Sequence, residues 1–250
     1  MELSFAGKSV VVTGASRGIG LTIALSFARA GAGVAICARG KEGLDAAVAE
    51  IARHGSKVHG EVCDLGDEAS TVKFITRAAA ALGGIDVLVS NASGAGKGDD
   101  ESAWFAGINV DLLGTVRATR AAVPFLGQSR GGAIVYISSI RGITGSARLP
   151  SYAAVKAAII NYTISQALAL SNNGIRVNAI APGSIEFPGG AWEKRKLEEP
   201  QLYEATVQRI PARRLGTAQE VANVALFLAS DSASWVTGQA IVVDGGQIHT

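Results

Sequence analysis

Tyr152 and Lys156 stand four residues apart in Ser151-Tyr152-Ala153-Ala154-Val155-Lys156, a stretch that reads as helix. Four residues is about one helical turn, so both side chains leave the same face. A phenol has an unperturbed pKa of about 10, too high for easy ionisation at neutral pH. A neighbouring ammonium favours the phenolate and makes the pair a proton donor and acceptor usable near pH 7. Ser139 lies thirteen residues before Tyr152, at the end of an apolar strand-like run, and can donate a hydrogen bond to a substrate oxygen. Asn109, in Asn109-Val110, falls in a long helical stretch and is expected to hold a water that relays protons to Lys156. Each residue is commonplace alone. In this order, on a strand–helix pattern, they suit hydride chemistry between a carbonyl and a secondary alcohol.

Such chemistry needs a dinucleotide, and Thr13-Gly14-Ala15-Ser16-Arg17-Gly18-Ile19-Gly20 offers a place for one. The loop follows a β-branched run and precedes an apolar helix. Backbone N–H groups and the positive end of a helix meet phosphates there, and glycines allow close approach. Gly14, Ser16, Arg17, Gly18, Ile19 and Gly20 are the expected contacts. An acid at the end of the second strand would bond the ribose 2′-OH and repel a 2′-phosphate. This chain has Ala38-Arg39 instead. Arg39 and Arg17 suit a phosphate, so NADP(H) is favoured, with NAD(H) the alternative. Asp64, after the third strand, is placed to accept from the adenine amino group or to cap the helix that begins near Asp67. Asn91, past the fourth strand, is expected to fix the loop beside the ribose.

The elements that carry these groups alternate. Strand signals at 9–13, 34–38, 57–64, 85–90, 133–138, 176–181 and 240–244 are separated by helical signals at 21–30, 44–51, 72–82, 102–126 and 152–171. Thr217-Ala218-Gln219-Glu220 reads as a capping box opening a helix through Ala229. Alternation of this kind implies parallel strands joined by right-handed crossovers. The expected fold class is α/β: a single-domain doubly wound Rossmann fold over residues 1–250, about seven parallel strands flanked by helices. Residues 182–201 form the longest irregular segment, and a substrate lid is expected near 184–210.

Composition narrows the function classes. Hydrophobic residues make up 48% of the 250, which suits a packed α/β core. A net charge of +2 gives no electrostatic case for nucleic acid. Cys37 and Cys63 end apolar runs and read as buried free thiols; His54, His59 and His249 are scattered, so no metal site is expected. The N-terminal residues lack a secretory pattern, and no run of about 18 apolar residues reads as a membrane span. A cytoplasmic location, with no membrane partner, is the expectation.

With its motifs assembled, the chain resembles the short-chain dehydrogenase/reductase family in its compact single-domain branch, over essentially its whole length. The resemblance rests on residues 13–20, Asp64-Leu65, Asn109-Val110, Ser139, Tyr152-x-x-x-Lys156, Pro182-Gly183 and residues 236–246. It implies a catalytic tetrad of Asn109, Ser139, Tyr152 and Lys156. It also implies cofactor contacts from Leu65, Tyr152 and Lys156, with Pro182, Gly183 and Ile185 lining the nicotinamide. Family members are usually homotetramers or homodimers, joined partly through the helices that hold Asn109 and Tyr152. Two departures stand out: Ser93 ends Ser90-Asn91-Ala92-Ser93 where the family has glycine, and Phe187 stands where it often has threonine.

The layout is most similar to 3-oxoacyl-acyl-carrier-protein reductases. Arg130 is a candidate for docking an acidic carrier, but Asn172-Asn173 replaces the basic position expected before Gly174. A broader carbonyl reductase or alcohol dehydrogenase acting on a small molecule is therefore preferred. Arg141 and Arg148 are candidates for a substrate carboxylate, and Trp192 and Phe187 for an apolar substrate portion. A non-catalytic nucleotide sensor is the rival from another class; it would be expected to lack the tyrosine or the lysine.

Overall fold

Val10, Val11 and Val12 are wholly buried, as befits a strand covered on both faces. The computed structural model describes residues 3–55, 57–94, 98–128 and 131–249. In it the strands are β1 (Ser9–Thr13), β2 (Gly33–Ala38), β3 (Val58–Val62), β4 (Val87–Ser90), β5 (Ala133–Ile137), β6 (Arg176–Pro182), the short β7 (Ile185–Glu186) and β8 (Gly216–Thr217), and β9 (Ala240–Val243). Seven of them make one parallel sheet in the order β3-β2-β1-β4-β5-β6-β9, while β7 pairs with β8 apart from it. Strand order reverses between β1 and β4, which opens a crevice at their carboxyl ends.

The helices are α1 (Gly18–Arg29), α2 (Lys41–Ala52), α3 (Glu68–Leu82), α4 (Glu101–Ala106), α5 (Gly114–Leu126), α6 (Arg141–Thr144), α7 (Pro150–Leu170), α8 (Ala191–Glu198), α9 (Pro200–Arg209) and α10 (Ala218–Ala229). Strand side chains alternate between two cores. Val10, Val12, Val34, Ile36 and Val135 meet Ile23, Phe27 and Leu228 on the α1–α2–α10 face. Val11, Ala35, Leu88 and Ile134 meet Phe74, Ala118 and Ile159 on the α3–α5–α7 face. The capping box at Thr217 and Glu220 is present at the start of α10, as its sequence requires.

Two stretches differ from the sequence reading. Residues 182–201 are not irregular: they contain β7, α8 and the start of α9. α8 buries no side chain, so it lacks the apolar period by which a helix is read. The long helix over 102–126 is α4 and α5 joined by a π-helical segment, Gly107–Leu113. Residues 150–173 are long and apolar enough to cross a bilayer by length and composition. Here they cover the sheet along β6, with Val155 and Ile159 in the core.

Candidate active site

A cleft of about 500 Å³ runs along the carboxyl ends of the strands. Gly14, Ser16, Arg17, Ile19 and Gly20 line one part of it, with Ala38 and Arg39 after β2 and Cys63 and Leu65 after β3. Ser139, Tyr152 and Lys156 line another, and Asn91, Pro182, Gly183 and Ile185 complete the walls.

The glycine loop is braced from β4. Gly14 has φ +64°, and a Cβ there would meet the Ala92 Cα at 2.6 Å, so only glycine lets the two turns press together. Asn91 Nδ2 donates to the Thr13 and Gly14 carbonyls at 3.2 and 2.9 Å, which fixes the loop as the sequence suggests. No side chain caps α1 at its start. Its first N–H groups are therefore open to an anion, whereas those of α3 are capped by Asp67, which accepts from the Ser70 N–H at 2.7 Å. An uncapped helix end at the head of a long cleft fits a dinucleotide.

Asp64 is exposed after β3, between Cys63 and Leu65, and its carboxylate accepts from the Gly66 N–H at 2.9 Å, which shapes the turn there. The helix cap it was set against belongs to Asp67. Cys37 and Cys63 are free thiols on the cleft wall. Their mutual hydrogen bond is the main influence on both: it draws Cys63 down to about 7 and, with burial, pushes Cys37 up.

Arg17 reaches across the mouth and donates from Nη1 to the Gly189 carbonyl at 2.9 Å. The Phe187 ring lies over Gly18, where any Cβ would meet it at 2.6 Å. Trp192 also lines the cleft and packs edge-on against Tyr203, with centroids 6.4 Å apart. The wall at Pro182-Gly183-Ser184 is held by the end of β9 and the residues after it. The Gly183 N–H donates to the Val243 carbonyl at 2.9 Å, and the Ser184 N–H to Gln247 Oε1 at 2.9 Å.

At the other end of the cleft, Lys156 Nζ lies 5.5 Å from the centre of the Tyr152 ring, on the shared face of α7. Lys156 is 2% exposed, and its Nζ donates to the Ile137 carbonyl at 3.1 Å. Its backbone is pinned as well: Ser138 Oγ donates to the Lys156 carbonyl at 2.8 Å. A Cβ on Gly142 in α6 would meet the Lys156 carbonyl carbon at 2.7 Å. Ser139 Oγ accepts from the Arg141 N–H at 3.1 Å, a role compatible with its O–H donating to a ligand.

Asn109 does not join this group. Its Nδ2 donates to the Gly66 carbonyl at 3.2 Å, and its Oδ1 accepts from Arg117 Nη1 at 3.0 Å. The residue facing Lys156 is Asp111, with Oδ1 3.0 Å from Nζ. Two residues are separated by roughly half a turn, so Asn109 and Asp111 point to opposite sides of the helix. Asp111 is 1% exposed, and its Oδ2 accepts from the Gly94 N–H at 2.6 Å. Burial, the strongest single influence, pulls the Lys156 ammonium down. The Asp111 charge, Tyr152 and the Asp111 hydrogen bond outweigh it and hold the group above its ordinary value. Sequence reasoning missed Asp111, although it is the only acid between residues 102 and 126. An acid alone in an apolar helix is a signal for a buried partner.

Arg141 and Arg148 do not line the cleft; Arg148 lies 3.9 Å from Glu199 at the surface. Arg130 lies outside the described residues.

Comparison with known proteins agrees with this geometry. A family model described as enoyl-(acyl carrier protein) reductase matches residues 14–247. The chain is 41% identical to 3-oxoacyl-[acyl-carrier-protein] reductase of Thermotoga maritima, over 97% of this chain and 98% of that one. The chain belongs to the short-chain dehydrogenase/reductase family. As a member it is an enzyme and an oxidoreductase. It is also similar to cis-4-hydroxycyclohexanecarboxylate dehydrogenase of Sinomonas cyclohexanicum, 39% identical over 98% of both chains. Among solved structures, L-sorbose reductase of Gluconobacter frateurii, complexed with NADPH and L-sorbose, superposes with a TM-score of 0.92 at 30% identity, over all of both chains.

Proposed function

We propose that this short-chain dehydrogenase/reductase exchanges hydride between NADP(H) and a small-molecule carbonyl or secondary alcohol, with Tyr152 giving and taking the proton. One observation carries the reading: Tyr152, Lys156 and Ser139 line the same cleft as the glycine loop. Bound nicotinamide would supply or accept the hydride. Ser139 orients the substrate oxygen by donating to it. Tyr152 protonates that oxygen as charge develops, and takes the proton back in the reverse direction. Lys156 stabilises the phenolate by its charge and can hold the cofactor ribose hydroxyls. Pro182, Gly183 and Ile185 supply the wall for the nicotinamide, and residues 184–210, with Phe187 and Trp192, form the lid over the substrate.

The preference for NADP(H) follows from β2, which ends at Ala38-Arg39 without an acid. Arg39 is exposed and lines the cleft, as does Arg17 in the glycine loop, so a 2′-phosphate has guanidinium groups to meet. The NADPH carried by the sorbose reductase supports this choice. The test is kcat/KM with NADPH and with NADH across a panel of carbonyls. NADPH should win; preference for NADH would overturn the cofactor assignment. Tight cofactor binding with no turnover would favour the nucleotide sensor.

A second reading, 3-oxoacyl-acyl-carrier-protein reductase, draws support from the Thermotoga relative. The dehydrogenase of a cyclohexane acid is nearly as similar, so overall likeness does not choose between them. Asn172 and Asn173 are exposed and uncharged where a carrier would meet basic residues. The broader carbonyl substrate is therefore the reading we adopt, and the panel includes an acyl-carrier substrate.

A further inference from the structure

From the Asp111–Lys156 pair we infer that Asp111 is a positioning residue that sets the charge balance around Tyr152 and with it the working pH of the site. The inference rests on the hydride-transfer reading above. A lone ammonium in a dry cleft would draw the proton off a phenol. Here a carboxylate lies 3.0 Å from that ammonium, and neither group reaches solvent. The carboxylate offsets part of the Lys156 charge felt at Tyr152, and a negative charge favours the protonated form of every neighbour. Two consequences follow with the same sign. For Tyr152 the carboxylate favours the neutral phenol, the form that donates in carbonyl reduction. Lys156 keeps its charge although buried.

The carboxylate is built into its place. Gly94 donates its N–H to Oδ2, and Thr115 Oγ1 donates to the Asp111 carbonyl at 2.6 Å. Among the described residues, each element around the pair presents its own charged and titratable groups. α7 presents Lys156 and Tyr152. α5 presents Arg117, which is turned to Asn109 and to the Leu65 and Gly66 carbonyls. The turn after β3 presents Cys63 on the cleft wall and Asp64, whose carboxylate binds the Gly66 N–H. β4 and β5 lead to Ser90, Ser138 and Ser139, which are neutral. Asp111 is thus the acid that faces Lys156.

The test replaces the charge and keeps the shape. In Asp111→Asn, both limbs of the kcat/KM profile for alcohol oxidation and carbonyl reduction should move to lower pH by about one unit or more. Asp111→Glu, which keeps the charge, should leave the limbs near those of the unaltered protein. If Asp111→Asn does not fold, Asp111→Ser gives a neutral side chain of smaller size. Ultraviolet absorbance of tyrosinate reads the same shift without turnover, after subtracting the matching Tyr152→Phe forms. That readout decides the role of Asp111 even if no carbonyl is turned over, an outcome that would instead count against the proposed function. Coincident titrations, or a move to higher pH, would overturn the inference.

Discussion

In the proposed mechanism, removal of the Tyr152 hydroxyl separates chemistry from binding. Tyr152→Phe keeps the ring that packs beside Lys156 and deletes the hydroxyl proposed as proton donor. Turnover is expected to fall by roughly 10²–10⁴-fold, while NADPH affinity, measured by fluorescence, stays near that of the unaltered protein. Activity retained in this variant would mean that another acid serves. Ser139, Tyr152 and Lys156 were legible in the sequence because their spacing is local: a one-turn helical pair and a strand-end serine before it. Asp111 was not, because which side of a helix a residue occupies depends on its phase. A π-helical turn changes that phase, and only the fold reveals it.

Among the elements, α6 does more than its four residues suggest. It lies so close to α7 that Gly142 has no room for a side chain, since a Cβ would meet the Lys156 backbone at 2.7–2.8 Å. Gly142→Ala should therefore force the two elements apart. The expected cost is about 1–3 kcal/mol of stability, read as a lower Tm, together with a fall in kcat as α7, carrying Tyr152 and Lys156, shifts relative to Ser139. A Tm and kcat unchanged within error would show that the contact is slack. Legibility varied in the same way from element to element. The buried strands and the capped α10 announced themselves through apolar runs and a capping box. α8 did not, because a helix of Glu193, Lys194, Arg195 and Lys196 that packs nothing into the core carries no periodic mark.

For the molecule as a whole, alternating strands and helices dictated a doubly wound sheet, and the order β3-β2-β1-β4-β5-β6-β9 is that architecture. Assembly is the property the fold leaves to its surface. Leu168 is 75% exposed and Ile164 46%, one turn apart on α7; Phe105 on α4 is 68% exposed. Apolar side chains on the helices that flank the site are expected to be covered by a second copy of the chain. Light scattering should find a dimer or tetramer, and Leu168→Glu should shift it toward smaller species. A monomer at micromolar concentration would refute this.

Residues far apart along the chain share one cleft, and its far wall is clasped by Val243 and Gln247. During synthesis the nascent chain can pair its first strands early, with Gly14 and Asn91 already in contact. Yet the N–H groups of Gly183 and Ser184 lack their partners Val243 and Gln247 until about sixty further residues have left the ribosome. Competence to hold a ligand must therefore arrive late in translation.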